Sequence, residues 1–157
     1  MSQTTFQIDI QNIYKHIFAT SAYTARARQA MGIPQEITER MLLTADDKEI
    51  ISPLIENSVN EIFTDIERYH PGSSVTFGQD GADGVYTFNI NTPTNYPAGN
   101  GERLGRTIVS YIANRTLQSW YTDIKPDEAG IASTKAQNDA ALIQMLLTQR
   151  AKPSVTD

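Results

Sequence analysis

Cysteine is absent from this chain. That excludes a disulfide framework, a thiolate-bound metal and a cysteine nucleophile, and it leaves the compartment open. Long apolar runs are missing as well. None approaches the roughly 20 residues needed to cross a bilayer, so no membrane partner is expected. The start, Met1-Ser2-Gln3-Thr4-Thr5, has neither the basic region nor the apolar region of a signal peptide, so the chain reads as soluble and unexported. Basic runs are lacking too, and the net charge is −5. Such a chain has little with which to neutralise phosphates, so no specific nucleic-acid partner is expected.

What is present suffices for one domain. The 157 residues are 39% apolar and 20% charged. A chain of that size buries about 68–70% of its unfolded surface and needs no metal or disulfide to hold a core. The negative charge is concentrated in residues 44–70, which hold seven acids against two bases, while residues 101–125 hold four bases against two acids. An asymmetry of this kind suits contact with another protein, although a charged run is more often a solvated helix face.

Hydrophobic spacing gives the organisation. Ile10, Ile13, Tyr14, Ile17 and Phe18 form a helical stripe, which predicts a first helix over 8–30. Small residues follow at Ala19, Ser21, Ala22, Ala25 and Ala27, where a neighbouring helix can approach closely, and Gly32 with Pro34 stops the helix. A short helix is expected at 34–42. Thr44-Ala45-Asp46-Asp47 is a helix start, with Thr44 as cap and two acids at the positive end of the dipole. Ile51, Ile55, Val59, Ile62, Ile66 and Tyr69 then mark a long helix, and Pro53 either bends it or restarts it after Ser52.

After His70-Pro71-Gly72 the period changes to two, which predicts a β-hairpin at 74–79 and 85–91 around Asp80-Gly81-Ala82-Asp83-Gly84. An isolated hairpin is marginal in water. It must dock its aromatic face on the helices or pair with a strand from another chain. Residues 91–101 read as a long exposed loop carrying Tyr96. A helix over 102–124 follows, with Leu104, Ile108, Ile112, Ala113, Leu117, Trp120 and Ile124 as its apolar stripe. A last helix begins at 127 or 133, carries Ala136, Ala140, Ile143 and Leu147 on one face, and ends near 150. The expectation is a mainly α fold: a four- to five-helix bundle with one antiparallel hairpin, a single domain over 1–151 and a flexible tail at 152–157.

No chemistry-bearing pattern stands out. His16 and His70 lack a second ligand at metal-binding spacing. The Asp-Gly pairs at 80–84 lack the alternating ligands and distal Glu of a calcium loop and read as turn chemistry. Gly99-Asn100-Gly101 before a helix lacks the Gly-Lys-Ser/Thr of a phosphate loop, although Arg103 and Arg106 share a face that would suit weak anion binding. There is no Gly-x-Ser-x-Gly elbow, and the carboxylates of Glu56 and Asp65 lie on a polar helix. The expectation is no enzyme, no cofactor and no metal site.

One arrangement carries a resemblance. The Thr-Ala-Asp-Asp start leads into the acidic helix, then the hairpin and loop, then a helix ending Tyr111-Ile112-Ala113-Asn114-Arg115-Thr116-Leu117-Gln118-Ser119-Trp120-Tyr121. Lys125-Pro126-Asp127-Glu128-Ala129 and a final helix follow. Over 44–150 this resembles the head–tail connector and adaptor proteins of the tailed-bacteriophage neck. The resemblance implies a non-catalytic adaptor that assembles with copies of itself as a ring, in contact with portal or tail proteins, in a virion put together in the host cytoplasm. Family members carry a shorter first helix, so residues 1–43 are expected to be a partner-binding addition. The interface candidates are Asp46, Asp47, Glu56, Tyr96, Arg103 and Arg106. The alternative is a small bacterial protein-binding module or regulator, monomeric or dimeric.

Overall fold

The computed structural model describes residues 2–80 and 83–149. Its first element is one the spacing did not announce. Thr4, Phe6 and Ile8 alternate with the exposed Gln3, Thr5 and Gln7, and they form strand β1 (Ser2–Asp9). Helix α1 (Ile10–Ala30) therefore starts two residues later than expected, with Asp9 as its cap: the Asp9 carboxylate accepts from Gln11 N at 2.9 Å. The hairpin is present and longer than expected, as β2 (Ser74–Asp80) and β3 (Asp83–Thr92). Residues 81–82 of its turn lie outside the described residues. β3 is the central strand of an antiparallel sheet ordered β1-β3-β2. The hairpin thus takes its third strand from its own N-terminal segment and not from another chain.

The sheet packs one face on the helices. Phe6, Phe88 and Val75 share a rung, as do Ile8, Tyr86 and Phe77. Phe6 and Phe88 stack with ring centroids 5.2 Å apart. Tyr86, Phe88 and Ile90 are buried, while Gln3, Thr5, Gln7 and Thr76 on the other face are exposed. That alternation is the signature of a sheet solvated on one side.

The remaining helices are α2 (Gln35–Met41), α3 (Lys48–Tyr69), α4 (Asn100–Tyr121) and α5 (Pro126–Thr148). Pro34 stands just before α2 as its cap and not inside its first turn. α3 runs through Pro53 as one helix, preceded by a 3-10 turn over Ala45–Asp47. α4 starts at Asn100 and stops at Tyr121, and α5 begins at Pro126, near the earlier of the two expected starts. Sheet and helix together shorten the loop to residues 93–99. The expected tail at 152–157 lies outside the described residues.

The predicted stripes meet in one core. Ile13, Ile17, Ile51, Ile55, Ile62, Ile66, Leu104, Ile108, Ile112 and Ile143 are all inaccessible to solvent. Of the small residues of α1, Ser21 and Ala25 are buried while Ala19 is exposed; Ser21 Oγ accepts from Leu43 N at 3.1 Å and donates to Phe18 O. Trp120 Nε1 donates to Met41 O at 3.2 Å, which ties α4 to the end of α2.

Tyr121, at the end of α4, is 2% exposed, and burial pushes its phenol up from 10.0 to about 12. The neutral form is the one the fold prefers, so its contribution is complete below pH 10 and is lost between pH 10 and about 12, an amount of roughly 2–3 kcal/mol. Tyr86, Tyr96 and Tyr111 shift the same way, also mainly through burial. Denaturant midpoints measured from pH 9 to 12 should fall more steeply for the natural protein than for Tyr121→Phe. Parallel curves would show that this phenol is not held neutral by the fold.

Candidate functional site

A three-stranded sheet has two open edges, and here each borders a cavity. Backbone alternation fixes what the β1 edge offers. Asn91 turns its N–H toward Ser73 Oγ, on the β2 side, at 3.1 Å. Direction alternates residue by residue, so Ile90, Phe88 and Tyr86 turn theirs toward β1, and their partners Thr4, Phe6 and Ile8 turn back. Gln3, Thr5 and Gln7 therefore direct N–H and C=O away from the sheet. Thr5 and Gln7 line a groove of about 830 Å³.

Helix α4 forms the facing wall. Gly101 and Gly105, one turn apart, face β1 at a separation where an added Cβ would make ordinary van der Waals contact. A Cβ on Gly101 would stand 3.4 Å from the Thr4 methyl, and one on Gly105 would stand 3.6 Å from the Phe6 ring. Arg106 and Val109 continue the wall, and Asn12 and His16 of α1 line the groove as well. His16 is exposed on the groove, but partial burial of its ring still lowers its pKa from the ordinary 6.5, and Asp139 opposes that shift. Asp139 is held by Ser110 Oγ at 2.7 Å and Asn114 Nδ2 at 3.0 Å.

The β2 edge borders a smaller cavity of about 200 Å³, lined by Glu56, Val59, Val75 and Phe77. Phe77 remains 47% exposed, tilted against Tyr86 with centroids 4.6 Å apart. Its ring lies over Gly84 in the space a Cβ would occupy, so only glycine at 84 leaves the ring in place.

The expected interface residues are scattered over the molecule. Arg106 lines the β1 groove and stands 3.8 Å from Glu102, both exposed. Arg103, three residues earlier, is exposed but does not line the groove. Glu56 lines the β2 cavity. Asp47 is occupied locally, since its carboxylate accepts from Thr44 N at 2.9 Å in a capping box, whereas Asp46 is exposed. Tyr96 is half-buried with its hydroxyl enclosed, which corrects the reading of an exposed loop aromatic. The acidic and basic helices also meet within one chain: α3 packs on α4, and Arg115 stands 3.8 Å from Glu61, with the Tyr111 hydroxyl accepting from Arg115 Nε at 3.2 Å.

His16 and His70 fall on different parts of the fold, His16 exposed on the groove and His70 buried at the end of α3. Among the described residues no group of three or more His, Asp or Glu side chains is placed to hold a metal, and no helix is long and apolar enough to cross a membrane. Thr5, Gln7, Gly105 and Phe77 were not singled out as site residues from the sequence, and Gly101 was read only as part of a possible phosphate loop. The alternation in Thr4–Ile8 and the four-residue spacing of the two glycines were the available signals.

Comparison with known proteins adds no identity: no family model matches the chain, and neither the curated proteins nor the solved structures yield a match.

Proposed function

We propose that this chain is a non-catalytic structural adaptor that works in many copies, as a ring at the head–tail neck of a phage virion, in contact with portal or tail proteins. The observation that supports the reading best is the presence of two unlike contact surfaces on one subunit. One is the β1 groove with Arg106 on its α4 wall, and the other is the β2 edge with Glu56 and the half-exposed Phe77. Unlike surfaces make heterologous contacts, which close into rings when the rotation permits. Open strand edges are ready sites for such contacts. The element order over 44–150 and its resemblance to neck adaptors point the same way. Exposed charge pairs contribute only about 0–1 kcal/mol each, so subunits are expected to stay apart in dilute solution and to assemble on a template.

The test reverses two charges. Arg103→Glu with Arg106→Glu changes two exposed side chains, so the variant should melt within a few degrees of the natural protein. It should fail to join particles, leaving filled heads without tails. Assembly of infectious particles at the natural yield would remove α4 from the interface. A second reading, a peptide-binding module, is favoured by the size of the β1 groove and its open edge. It predicts a monomer or dimer at both micromolar and near-millimolar concentration, read by solution mass.

A further inference from the structure

Both open edges of the sheet lack the usual protection. Residues 3–8 of β1 and 74–79 of β2 contain no charged residue and no proline, the devices that keep an edge from pairing. Each edge also has apolar surface beside it that the fold leaves partly uncovered. Phe6 and Val109 are half-buried along the β1 groove, which borders residues 4–8, about 13 Å of strand. Phe77 of β2 is 47% exposed. β2 has seven residues, enough to run the length of that groove.

We propose that the β1 groove of one subunit receives β2 of the next copy as a parallel strand, so that one sheet continues from copy to copy with every helix on the same side. The proposal rests on the many-copy reading above and adds which edges meet and which way they run. Charge selects unlike edges. Glu56 is the charged side chain lining the β2 cavity, and Arg106 lines the β1 groove with His16 and Glu102. Glu102 and Arg106 are both exposed and 3.8 Å apart, a weak, screened pair that leaves Arg106 open to a second acid. Pairing β1 with β1 would bring two copies of Arg106 together, and β2 with β2 two copies of Glu56. Pairing β1 with β2 sets Arg106 against Glu56.

Backbone alternation sets the direction. Phe88 and Tyr86 turn their N–H and C=O toward β1, so Val75 and Phe77, which stand opposite them, turn theirs outward. Their side chains lie on the helix face, whereas the outward groups of β1 belong to Gln3, Thr5 and Gln7, whose side chains lie on the solvated face. In an antiparallel pair, outward residues stand opposite each other with side chains on one face. That would set Phe77 on the glutamine face and put the helices of the two copies on opposite sides. In a parallel pair, outward residues are offset by one, with side chains on opposite faces. Phe77 then falls level with a helix-face residue of β1 and bonds to the outward groups on either side of it. Within a subunit β1 and β2 are both antiparallel to β3 and so run the same way. A rotation about an axis along the strands therefore brings β2 of one copy beside β1 of the next in the required parallel sense, which is the relation a ring needs.

Two measurements on the full chain test it. The chain has no cysteine, so Gln7→Cys and Thr76→Cys each carry a single thiol, at exposed positions level with each other across Thr87. A two-residue change of register moves a strand about 7 Å, which a short bismaleimide spans, while like cysteines in adjoining copies stand three strands, about 14 Å, apart. At near-millimolar concentration the linked dimer should therefore form several-fold more in a mixture of the two variants than in either alone. A link in Gln7→Cys alone would show β1 on β1, and a link in Thr76→Cys alone β2 on β2. Either of these, equal yields in all three samples, or no link in any would overturn the proposal. In the natural protein, raising the concentration from micromolar to near-millimolar should slow amide exchange at Thr5, Gln7, Val75 and Phe77 together, about tenfold, with the core amides unchanged. Slowing at one edge alone, or at neither, would overturn it as well. Both measurements need no portal, tail or particle, so the pairing can hold where the particle-joining test fails. Particles that form normally without the mixed link would overturn the pairing and leave the adaptor reading standing.

Discussion

Glu128→Ala should destabilise the protein by about 2–4 kcal/mol, because it leaves one half of a largely buried ion pair in place. Glu128 stands in the first turn of α5 and is 5% exposed; its carboxylate accepts from Arg28 Nε in the last turn of α1. Hydrogen bonding to Glu128 is the main cause that raises the Arg28 pKa. Each member also sits at the helix end that favours its charge, the acid at a positive end and the base at a negative one. The Arg28 side chain keeps about a quarter of its exposure, 27%, so in the variant it still reaches water. That places the cost below the upper end seen for fully enclosed pairs. Glu128→Gln preserves shape and one acceptor and should cost less. Arg28→Met with Glu128→Leu should recover most of the loss, because desolvation of both charges is then avoided. Urea denaturation at neutral pH reads all three. A cost under about 1 kcal/mol for Glu128→Ala would show that the pair is screened as a surface pair is.

The pair also shows where sequence reading reaches its limit. Each helix stripe was visible in the spacing of its own segment: Ile51 to Ile66 on α3, Leu104 to Leu117 on α4, Ala136 to Leu147 on α5. All but the partly buried Ala140 are found in the core, because amphipathic periodicity is a local property that only needs some partner. Which partner is not local. Arg28 and Glu128 are 100 residues apart, and nothing in either helix names the other. The same holds for β1. Thr4, Phe6 and Ile8 alternate, but two of the five residues at 4–8 are threonines, and Ile8 was absorbed into the helix expected over 8–30. Asp9 was the local sign of the boundary, as a capping residue just before Ile10. Pro53 was read as a bend or a restart because proline removes one helical N–H, yet it stands in the second turn of α3, and a 22-residue helix tolerates one missing bond. For the candidate site, the charges of α3 and α4 were legible as charges. Their pairing inside one subunit was not, since an ion pair within a chain and one between chains have the same sequence.

Phe88→Ala should cost about 3–5 kcal/mol and should separate the sheet from the helices without unfolding them first. Phe88 lies at the centre of β3, the central strand, and is inaccessible to solvent. It stacks on Phe6 to one side and shares a rung with Val75 on the other. Removing its ring takes away a large side chain that stacks on Phe6, pairs opposite Val75 and is buried in the core. The strands have few alternatives, because a three-stranded antiparallel sheet of this size is stable only through the face it buries. Amide exchange should therefore accelerate across β1 and β3 more than across α3 and α4. Phe6→Ala removes a ring that is only half-buried, so it should cost less and should loosen β1 alone. If Phe88→Ala costs no more than Phe6→Ala, the sheet is held by its ladder bonds and not by its buried face. If exchange instead rises evenly over helices and strands, sheet and helices unfold as one unit, and β1 cannot detach from β3 without unfolding the whole domain.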